Sequence, residues 1–217
     1  MDVPCPPPAA RAGLRWLAAA DADLAAIEPR CGPLPWRRRP PGFPGLLQAI
    51  MGQQISNHAA GAIWRRLAAL PGALEPAGLL RLDDDALRAA GLSRPKMAHS
   101  RALAVAFAEG RLDADGLAAM DDAAAIAAIA GVRGMGPWTA EVYLLFALER
   151  PDVFPAGDVA LAAAVQHVKA LPARPAPAAL RALAAQWQPW RSLAARLLWH
   201  HWRHVTGRPA MDDLPPG

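Results

Sequence analysis

One short stretch of the sequence, GVRGMGPWTAEV at residues 131–142, places three glycines and a proline directly before a helical pattern. Glycine tolerates positive φ angles and leaves its N–H uncovered. A proline at the first helical position gives up a donor that would be unpaired anyway. Exposed N–H groups at the positive end of a helix can bind an anion such as phosphate. The alternative is an ordinary turn between two helices with a glycine C-cap, which is commoner.

An acidic residue that could do chemistry, Asp158, follows along the chain in the sequence FPAGDVAL. Aspartate is a favoured N-cap and a helical pattern starts here, so capping is one interpretation of this residue. The helix dipole also favours the ionised carboxylate, which can stabilise a positive charge that develops close to it during a reaction. The two roles are compatible. Asp152 is the other acidic candidate in this turn.

The pattern around these residues is helical along the whole chain. Apolar residues recur at helical spacing and alternation of β-branched residues is almost absent, which predicts an all-α fold. A proline-rich start (1–10) and the tail (207–217) are expected to be disordered, and residues 29–45 to be a connector. The predicted helices are 11–28, 44–70 (interrupted only by Gly52 and Gly61), 76–80, 83–90, 94–109, 113–118, 121–130, 137–148, 159–170, 176–186 and 189–204.

Composition narrows the class of protein. Hydrophobic residues make up 53% of the 217 residues, which is enough for a sizeable core, and the net charge is +4. That charge fits either an ordinary soluble surface or a polyanionic partner. The two cysteines, Cys5 and Cys31, lack metal-ligand spacing and fit a reduced compartment. The sequence shows no signal peptide and no apolar run long enough for a membrane span, so we expect a cytoplasmic protein without membrane contact.

Five motifs together resemble the helix-hairpin-helix DNA glycosylases, and most closely the 3-methyladenine DNA glycosylase II branch. Two are the glycine-rich stretch and the FPAGDVAL segment described above. The others are LLQAIMGQQIS at 46–56, GLSRPKMAHSRALA at 91–104 and WQPWRSLAARLLW at 187–199. The resemblance covers about residues 40–205, and five motifs in the right order are strong evidence together.

The resemblance implies a two-lobed helical fold with a DNA cleft between the lobes. One lobe would span residues 40–150, with the hairpin at about 122–148, and the other would combine 11–39 with 151–206. The N-terminal β-rich domain of longer bacterial relatives is not expected here. A monomer acting on damaged double-stranded DNA is implied, in the bacterial cytoplasm and at the nucleoid when bound.

The resemblance also implies the chemistry. Asp158 would be the catalytic carboxylate of a monofunctional glycosylase that flips out alkylated purines of the 3-methyladenine and 7-methylguanine type during base excision repair. Bifunctional relatives carry a Schiff-base lysine where this chain has Trp138, so no lyase activity is expected. A purine already cationic leaves as a neutral base, so no general acid is needed. Trp138 and Tyr143 would line the base pocket, although Trp138 could instead pack in the core.

Contacts to DNA are assigned by the same resemblance. The N–H groups of Gly134 and Gly136 would grip phosphate, which is independent of base sequence. Gln54, in the middle of a helix, matches the intercalating residue, where some relatives carry a leucine-like wedge. The expected DNA-binding residues are Gly134, Gly136, Thr139, Gln53, Gln54, Ile55 and Ser56.

A monovalent cation is the only cofactor that the resemblance implies. Na⁺ or K⁺ would bind the backbone carbonyls of Ala130, Val132 and Met135. An iron–sulfur cluster needs four closely spaced cysteines near the C-terminus, which this sequence lacks, so none is expected.

Other interpretations stay open at this point. One is a catalytically silent DNA-binding module, and another is a glycosylase for oxidised or deaminated bases. Asp158 in its motif favours catalysis, whereas Trp138 argues only against the lyases for oxidised bases. The paired glutamines could also form a solvated helix face, and Ser56 could bond back to its own helix. Trp199 is expected to lie on a C-terminal amphipathic helix and to pack in the core of the protein.

Overall fold

The computed structural model describes residues 5–208, which form helices and turns without any strand in that range. The all-α prediction is confirmed. In chain order the α-helices are Pro8–Ala20 (α1), Ala22–Ala25 (α2), Ile27–Cys31 (α3), Phe43–Gly52 (α4), Asn57–Ala68 (α5), Pro76–Arg81 (α6), Asp84–Ala89 (α7), Arg94–Ala108 (α8), Ala114–Ala119 (α9), Asp122–Ala130 (α10), Pro137–Phe146 (α11), Val159–Val168 (α12), Pro177–Ala184 (α13) and Arg191–Thr206 (α14). None of these helices is long and apolar enough to cross a lipid bilayer.

The chain forms two compact units. The central unit, residues 39–148, contains α4 to α11. The discontinuous unit combines residues 5–38 with 149–208 and contains α1 to α3 and α12 to α14. Each unit buries its own apolar side chains, among them Leu46, Ile50 and Leu103 in the central unit and Leu17 and Trp187 in the discontinuous one. Complete burial of such side chains stabilises a fold by about 1.5–3 kcal/mol each.

Local signals explain where most helices begin. Proline stands at the first or second position of α1, α4, α6, α8, α11 and α13, where its missing N–H leaves no donor unpaired. Seven helices begin with an N-cap side chain that accepts a hydrogen bond from the first helical turn. Helix α8 has both a cap and a proline. The seven caps are Asp21, Ser56, Asp83, Ser93, Asp113, Asp121 and Asp158. These are the N-cap residues that sequence patterns favour.

The predicted helix 11–28 is wrong at both ends and in its middle. Helix α1 starts at Pro8, so residues 8–10 are helical instead of disordered. The chain then becomes extended at Asp21, with φ −145° and ψ 106°, and Asp21 caps α2 through the N–H groups of Asp23 and Leu24. An N-cap residue cannot continue the preceding helix, and the long helix is therefore divided. The predicted disorder of residues 209–217 lies outside the described residues.

Asp21 also organises the core of the discontinuous unit. Its carboxylate accepts hydrogen bonds from Lys169 Nζ at 2.7 and 2.8 Å and from the indole N–H of buried Trp187 at 2.7 Å. Burial raises the pKa of Asp21, but the hydrogen bonds from Lys169 and Trp187 outweigh burial and leave the pKa below its usual value. Asp21 therefore ties α2 to the segments that carry Lys169 and Trp187.

Candidate functional site

The glycine-rich turn joins α10 to α11 in the central unit. Gly134 has φ +85°, which only glycine adopts readily. A Cβ atom there would overlap the ring of His99, which packs directly against this glycine. Gly136 is extended, at φ −104° and ψ 171°, and a Cβ atom added there would lie in open space. The segment that follows, α11, begins at Pro137, and a residue before proline prefers this extended conformation.

The glycine turn presents two backbone donors. Among the described residues, no protein acceptor takes the N–H of Gly134 or of Gly136. Both N–H groups lie at the N-terminal end of α11, where the helix dipole is positive. Unpaired backbone donors in such a position suit an anionic ligand. The turn can therefore bind an anion, as the sequence indicates.

A second turn in the central unit, residues 53–56, corrects the prediction of one helix over 44–70. Helix α4 ends at Gly52 and α5 begins at Asn57. Gln54 has φ +57°, a left-handed conformation that ends a helix, and the Ser56 hydroxyl accepts the Ala59 N–H at 3.2 Å as N-cap of α5. Gln54 therefore lies at the tip of a turn instead of on a helix face. Ile55 is 37% exposed beside it.

Gln53 connects the two turns. Its side-chain amide donates to the Gly134 carbonyl at 2.9 Å and lies 3.4 Å from Thr139 Oγ1. Thr139, expected to contact DNA, is only 2% exposed, and its hydroxyl faces Gln53. Thr139 thus supports Gln53, and the 53–56 turn and the glycine turn form one connected surface.

Lys96, on α8, was not singled out by the sequence as a site residue. Its ammonium group donates to the carbonyl oxygens of Ile50 at 2.7 Å, Met51 at 2.9 Å and Gln53 at 3.0 Å. The side chain is buried, at 8% exposure, and burial lowers the pKa of the ammonium group. A cation at these carbonyls satisfies the C-terminal end of α4, where the helix dipole is negative.

The two residues expected in a base pocket differ in the structure. Trp138 is half-buried at the start of α11. Tyr143 is completely buried, and its hydroxyl accepts the Gly42 N–H at 2.7 Å. Burial raises the pKa of Tyr143, and the Gly42 hydrogen bond lowers it by less. The ring and hydroxyl of Tyr143 thus belong to the core of the central unit, and its assignment to a base pocket stays a prediction.

The carbonyls expected to hold a monovalent cation belong to Ala130, the last residue of α10, and to Val132 and Met135 in the glycine turn. The Val132 carbonyl already accepts the Met135 N–H at 3.0 Å, which leaves one lone pair for another partner. Backbone carbonyl oxygens are ligands that Na⁺ and K⁺ accept, so the donor chemistry of Ala130, Val132 and Met135 fits such an ion. Within residues 5–208, His, Cys, Asp and Glu side chains form no group of three that could hold a metal ion.

Asp158 lies in the discontinuous unit as the N-cap of α12, which confirms the capping interpretation. Its Oδ1 accepts the Leu161 N–H at 2.8 Å and the indole N–H of Trp199 at 3.2 Å. The side chain is half-buried. Two donors on one carboxylate oxygen fix its orientation. The other acidic candidate, Asp152, forms an ion pair with Arg191 through two hydrogen bonds of 2.8 and 2.9 Å. Both of its oxygens therefore take part in a structural contact.

Trp199 is the residue at this carboxylate that sequence reasoning missed. It belongs to α14, which packs against α12, so the two side chains meet although they are far apart in the sequence. No local spacing could reveal the pair. The structure therefore places an indole donor, expected only in the core, at the candidate catalytic group.

Cys31, His167 and His201 form a further polar group in the discontinuous unit. His201 Nε2 lies 2.9 Å from His167 Nδ1, and Cys31 Sγ lies 3.8 Å from the other nitrogen of His201. Burial, followed by the charges of His167 and His204, lowers the pKa of His201. His201 is therefore neutral over more of the pH range than a solvated histidine.

Comparisons with known proteins agree with this architecture. A DNA-3-methyladenine glycosylase of Saccharomyces cerevisiae is 34% identical over 130 residues, 55% of this chain and 44% of that protein. A DNA-3-methyladenine glycosidase of Bacillus halodurans has a solved structure with a TM-score of 0.76 and 28% identity, covering 93% of this chain and 94% of that one. The 3-methyladenine DNA glycosylase Mag1 of Schizosaccharomyces pombe, in complex with abasic DNA, gives a TM-score of 0.78 at 24% identity, covering 89% and 95%.

The region of similarity to the curated relatives is partial. The alignments span less than half the length of two of them, 44% in each case. The sequence pattern of the HhH-GPD superfamily of base excision DNA repair proteins, in contrast, matches residues 47–189, which is more than half of the chain. That match includes the 53–56 turn, the glycine turn and Asp158. This protein therefore belongs to the HhH-GPD superfamily of base excision DNA repair proteins.

Proposed function

We propose that this protein is a monofunctional DNA glycosylase that hydrolyses the N-glycosidic bond of alkylated purines, of the 3-methyladenine and 7-methylguanine type, in duplex DNA. The observation that carries the proposal is the half-buried Asp158 carboxylate, held by the Leu161 N–H and by Trp199. Relatives named DNA-3-methyladenine glycosylases, in two yeasts and in Bacillus subtilis, support the choice of substrate.

The chemistry required of Asp158 is electrostatic. The bond between C1′ and the purine nitrogen breaks, and its electron pair leaves with the base. An alkylated purine that carried a positive charge becomes neutral, so no proton donor is needed. The cationic sugar left behind is stabilised by a fixed carboxylate, and water then adds its oxygen to C1′ and loses a proton. The products are a free base and an abasic site in an intact strand.

Both lysines of the chain support a hydrolytic reaction without strand cleavage. A Schiff-base lyase needs an accessible, neutral amine. Lys96 donates to three backbone carbonyls, and Lys169 is paired with Asp21 and Asp23 at 2.7 and 2.8 Å. These are the only lysines in the sequence. Trp138 occupies the position at which bifunctional relatives carry the nucleophilic lysine.

In this proposal the central unit binds the DNA. The free N–H groups of Gly134 and Gly136 would bind a backbone phosphate, a contact that carries no sequence information. The tip of the 53–56 turn, formed by Gln54 and exposed Ile55, would fill the space left by the flipped nucleotide. Binding as a monomer to damaged duplex DNA, at the bacterial nucleoid, completes the proposal.

The test is base release from a duplex with a single N7-methylguanine. The expected result is a strand that breaks only after alkali treatment, which reveals an abasic site. Asp158→Asn should abolish release but keep the fold and DNA binding, because asparagine is an equally good N-cap. A variant that releases the base at the wild-type rate would show that Asp158 is not the catalytic carboxylate. DNA binding by a wild-type protein that releases no base would favour the silent DNA-binding module instead.

A further inference from the structure

The buried ammonium group of Lys96 is a candidate for a role in the reaction. It reaches from α8 to the carbonyls of Ile50, Met51 and Gln53, which are the last residues before the tip of the 53–56 turn. We propose that Lys96 is a positioning residue that holds this turn in the conformation needed to enter the DNA duplex. The inference rests on the proposed function, since it assigns a role in substrate binding to a residue that contacts no substrate.

The backbone of the turn explains why an anchor is needed. Gln54 has φ +57°, and a left-handed conformation is unfavourable for residues other than glycine, asparagine and aspartate. Such a conformation persists when the surrounding structure enforces it. Three hydrogen bonds from one charged group fix the carbonyls at residues 50, 51 and 53, so the chain enters Gln54 in a defined direction. In this proposal the turn already has its DNA-binding conformation before DNA binds.

A second contact, through Gln53, connects Lys96 to the glycine turn. Gln53 accepts a hydrogen bond from Lys96 through its carbonyl and donates through its side chain to the Gly134 carbonyl at 2.9 Å. Lys96 therefore also influences the separation between the turn tip and the phosphate-binding N–H groups of the same unit. Preorganised groups need no reordering when the ligand binds, which increases the rate of the step they serve.

A purely stabilising role predicts a different pattern. A buried charge is weak evidence for stability, because an apolar residue of similar volume often packs as well. Lys96→Met keeps the length of the side chain and removes the donors. If Lys96 only stabilised the fold, the variant would lose activity equally on all DNA substrates. If it positions the turn, the loss depends on how much the substrate resists nucleotide flipping.

The experiment compares single-turnover base release from N7-methylguanine opposite cytosine with release from the same lesion opposite an abasic-site analogue. Flipping is easier in the second duplex, because the lesion is unpaired. For Lys96→Met we expect the ratio of paired to unpaired rates to fall on the order of 10-fold or more, since small misplacements of positioning groups have effects of that size. A 2-aminopurine next to the lesion should also show a smaller fluorescence increase on binding.

Matched controls separate positioning from folding. Lys169→Met removes the other lysine, which is ion-paired with Asp21 in the discontinuous unit, and should leave the ratio unchanged even if stability falls. Lys96→Arg keeps the charge, so it is the second variant if Lys96→Met does not fold. Its planar group cannot direct three donors from one atom, and the ratio should fall in the same direction but by less.

Each outcome bears on the idea. A lowered ratio in either Lys96 variant, together with an unchanged ratio in Lys169→Met, supports the positioning role. An unchanged ratio in a folded Lys96 variant overturns it while leaving the glycosylase proposal intact. If the wild-type protein releases no base from either duplex, the proposed function itself has failed, and with it the premise of this inference.

Discussion

Replacing Gly136 by valine should weaken DNA binding without unfolding the protein. Gly136 has an extended backbone at φ −104°, and a Cβ atom would meet no other atom within 4 Å. Reduced freedom of the unfolded chain stabilises such a variant by about 0.4–1 kcal/mol, which offsets the poor capping propensity of valine. The net change in the free energy of unfolding should therefore stay within about 1 kcal/mol.

The expected effect on binding follows from the donor that the side chain would cover. A hydrogen bond to a charged group contributes roughly 1.5–3 kcal/mol, so loss of one phosphate contact should weaken binding about 10- to 100-fold. The loss should be equal for damaged and undamaged duplexes. Fluorescence anisotropy over a range of salt concentrations measures it, and because the Gly136 N–H carries no charge, the log–log slope of affinity against salt should stay unchanged.

Gly134→Val is the matched contrast. At φ +85° and against the His99 ring, valine should destabilise the fold by about 1–3 kcal/mol and lower the thermal midpoint. Loss of DNA binding by this variant could result from the disturbed fold and would therefore not test the contact with phosphate. A folded Gly136→Val protein that binds both duplexes with wild-type affinity would refute the phosphate-binding role and leave the glycines as a turn between two helices.

Three further predictions concern the discontinuous unit. Trp199→Phe removes the 3.2 Å bond to Asp158 but keeps a ring; single-turnover assays should show about 10-fold slower base release with unchanged DNA affinity. Because the pKa of His201 is lowered in the folded state, the unfolded state binds more protons below about pH 6.5, and stability falls there. The urea concentration at the unfolding midpoint should therefore be lower at about pH 5.5 than at about pH 7.5, and the difference should be smaller in His201→Gln. Because the pKa of Asp21 is also lowered, its ionised carboxylate stabilises the fold above pH 3.8, and this stabilisation is lost as the pH falls below that value. Acid-induced unfolding of Lys169→Met should therefore show a smaller loss of stability in this range than that of the wild type. Unchanged rates in the first case, or equal pH slopes in variant and wild type in the others, would contradict these predictions.

Local patterns predicted much of the fold. Prolines at helix starts and capping aspartates gave most helices nearly correct bounds, as in Arg94–Ala108 for the predicted 94–109. The division of residues 44–70 was missed because the apolar spacing continues through it. Ser56, a capping residue, was the available signal for the break. Gln54 in a left-handed conformation has no sequence signal, since tertiary contacts enforce it.

The candidate site was predicted only in part. Asp158 and the glycines stand in contiguous motifs, which a sequence displays directly. The contact of Trp199 with Asp158, and of Lys96 with the end of α4, join segments distant in sequence, and no spacing rule encodes them. The complete burial of Tyr143 was not predicted, because an aromatic residue near a motif gives no information on which side of its helix faces the core.

The anchor at Lys96 makes the tip of the 53–56 turn modular. Lys96 bonds only to main-chain oxygens, which every amino acid supplies, so the scaffold is independent of the side chains it presents. Ile55 is open to wide replacement, whereas position 54 is limited by φ +57° to residues that tolerate it, such as glycine, asparagine or aspartate. A two-position library at residues 54 and 55 would therefore vary the contact that we propose this turn makes with DNA, while the anchored backbone stays the same.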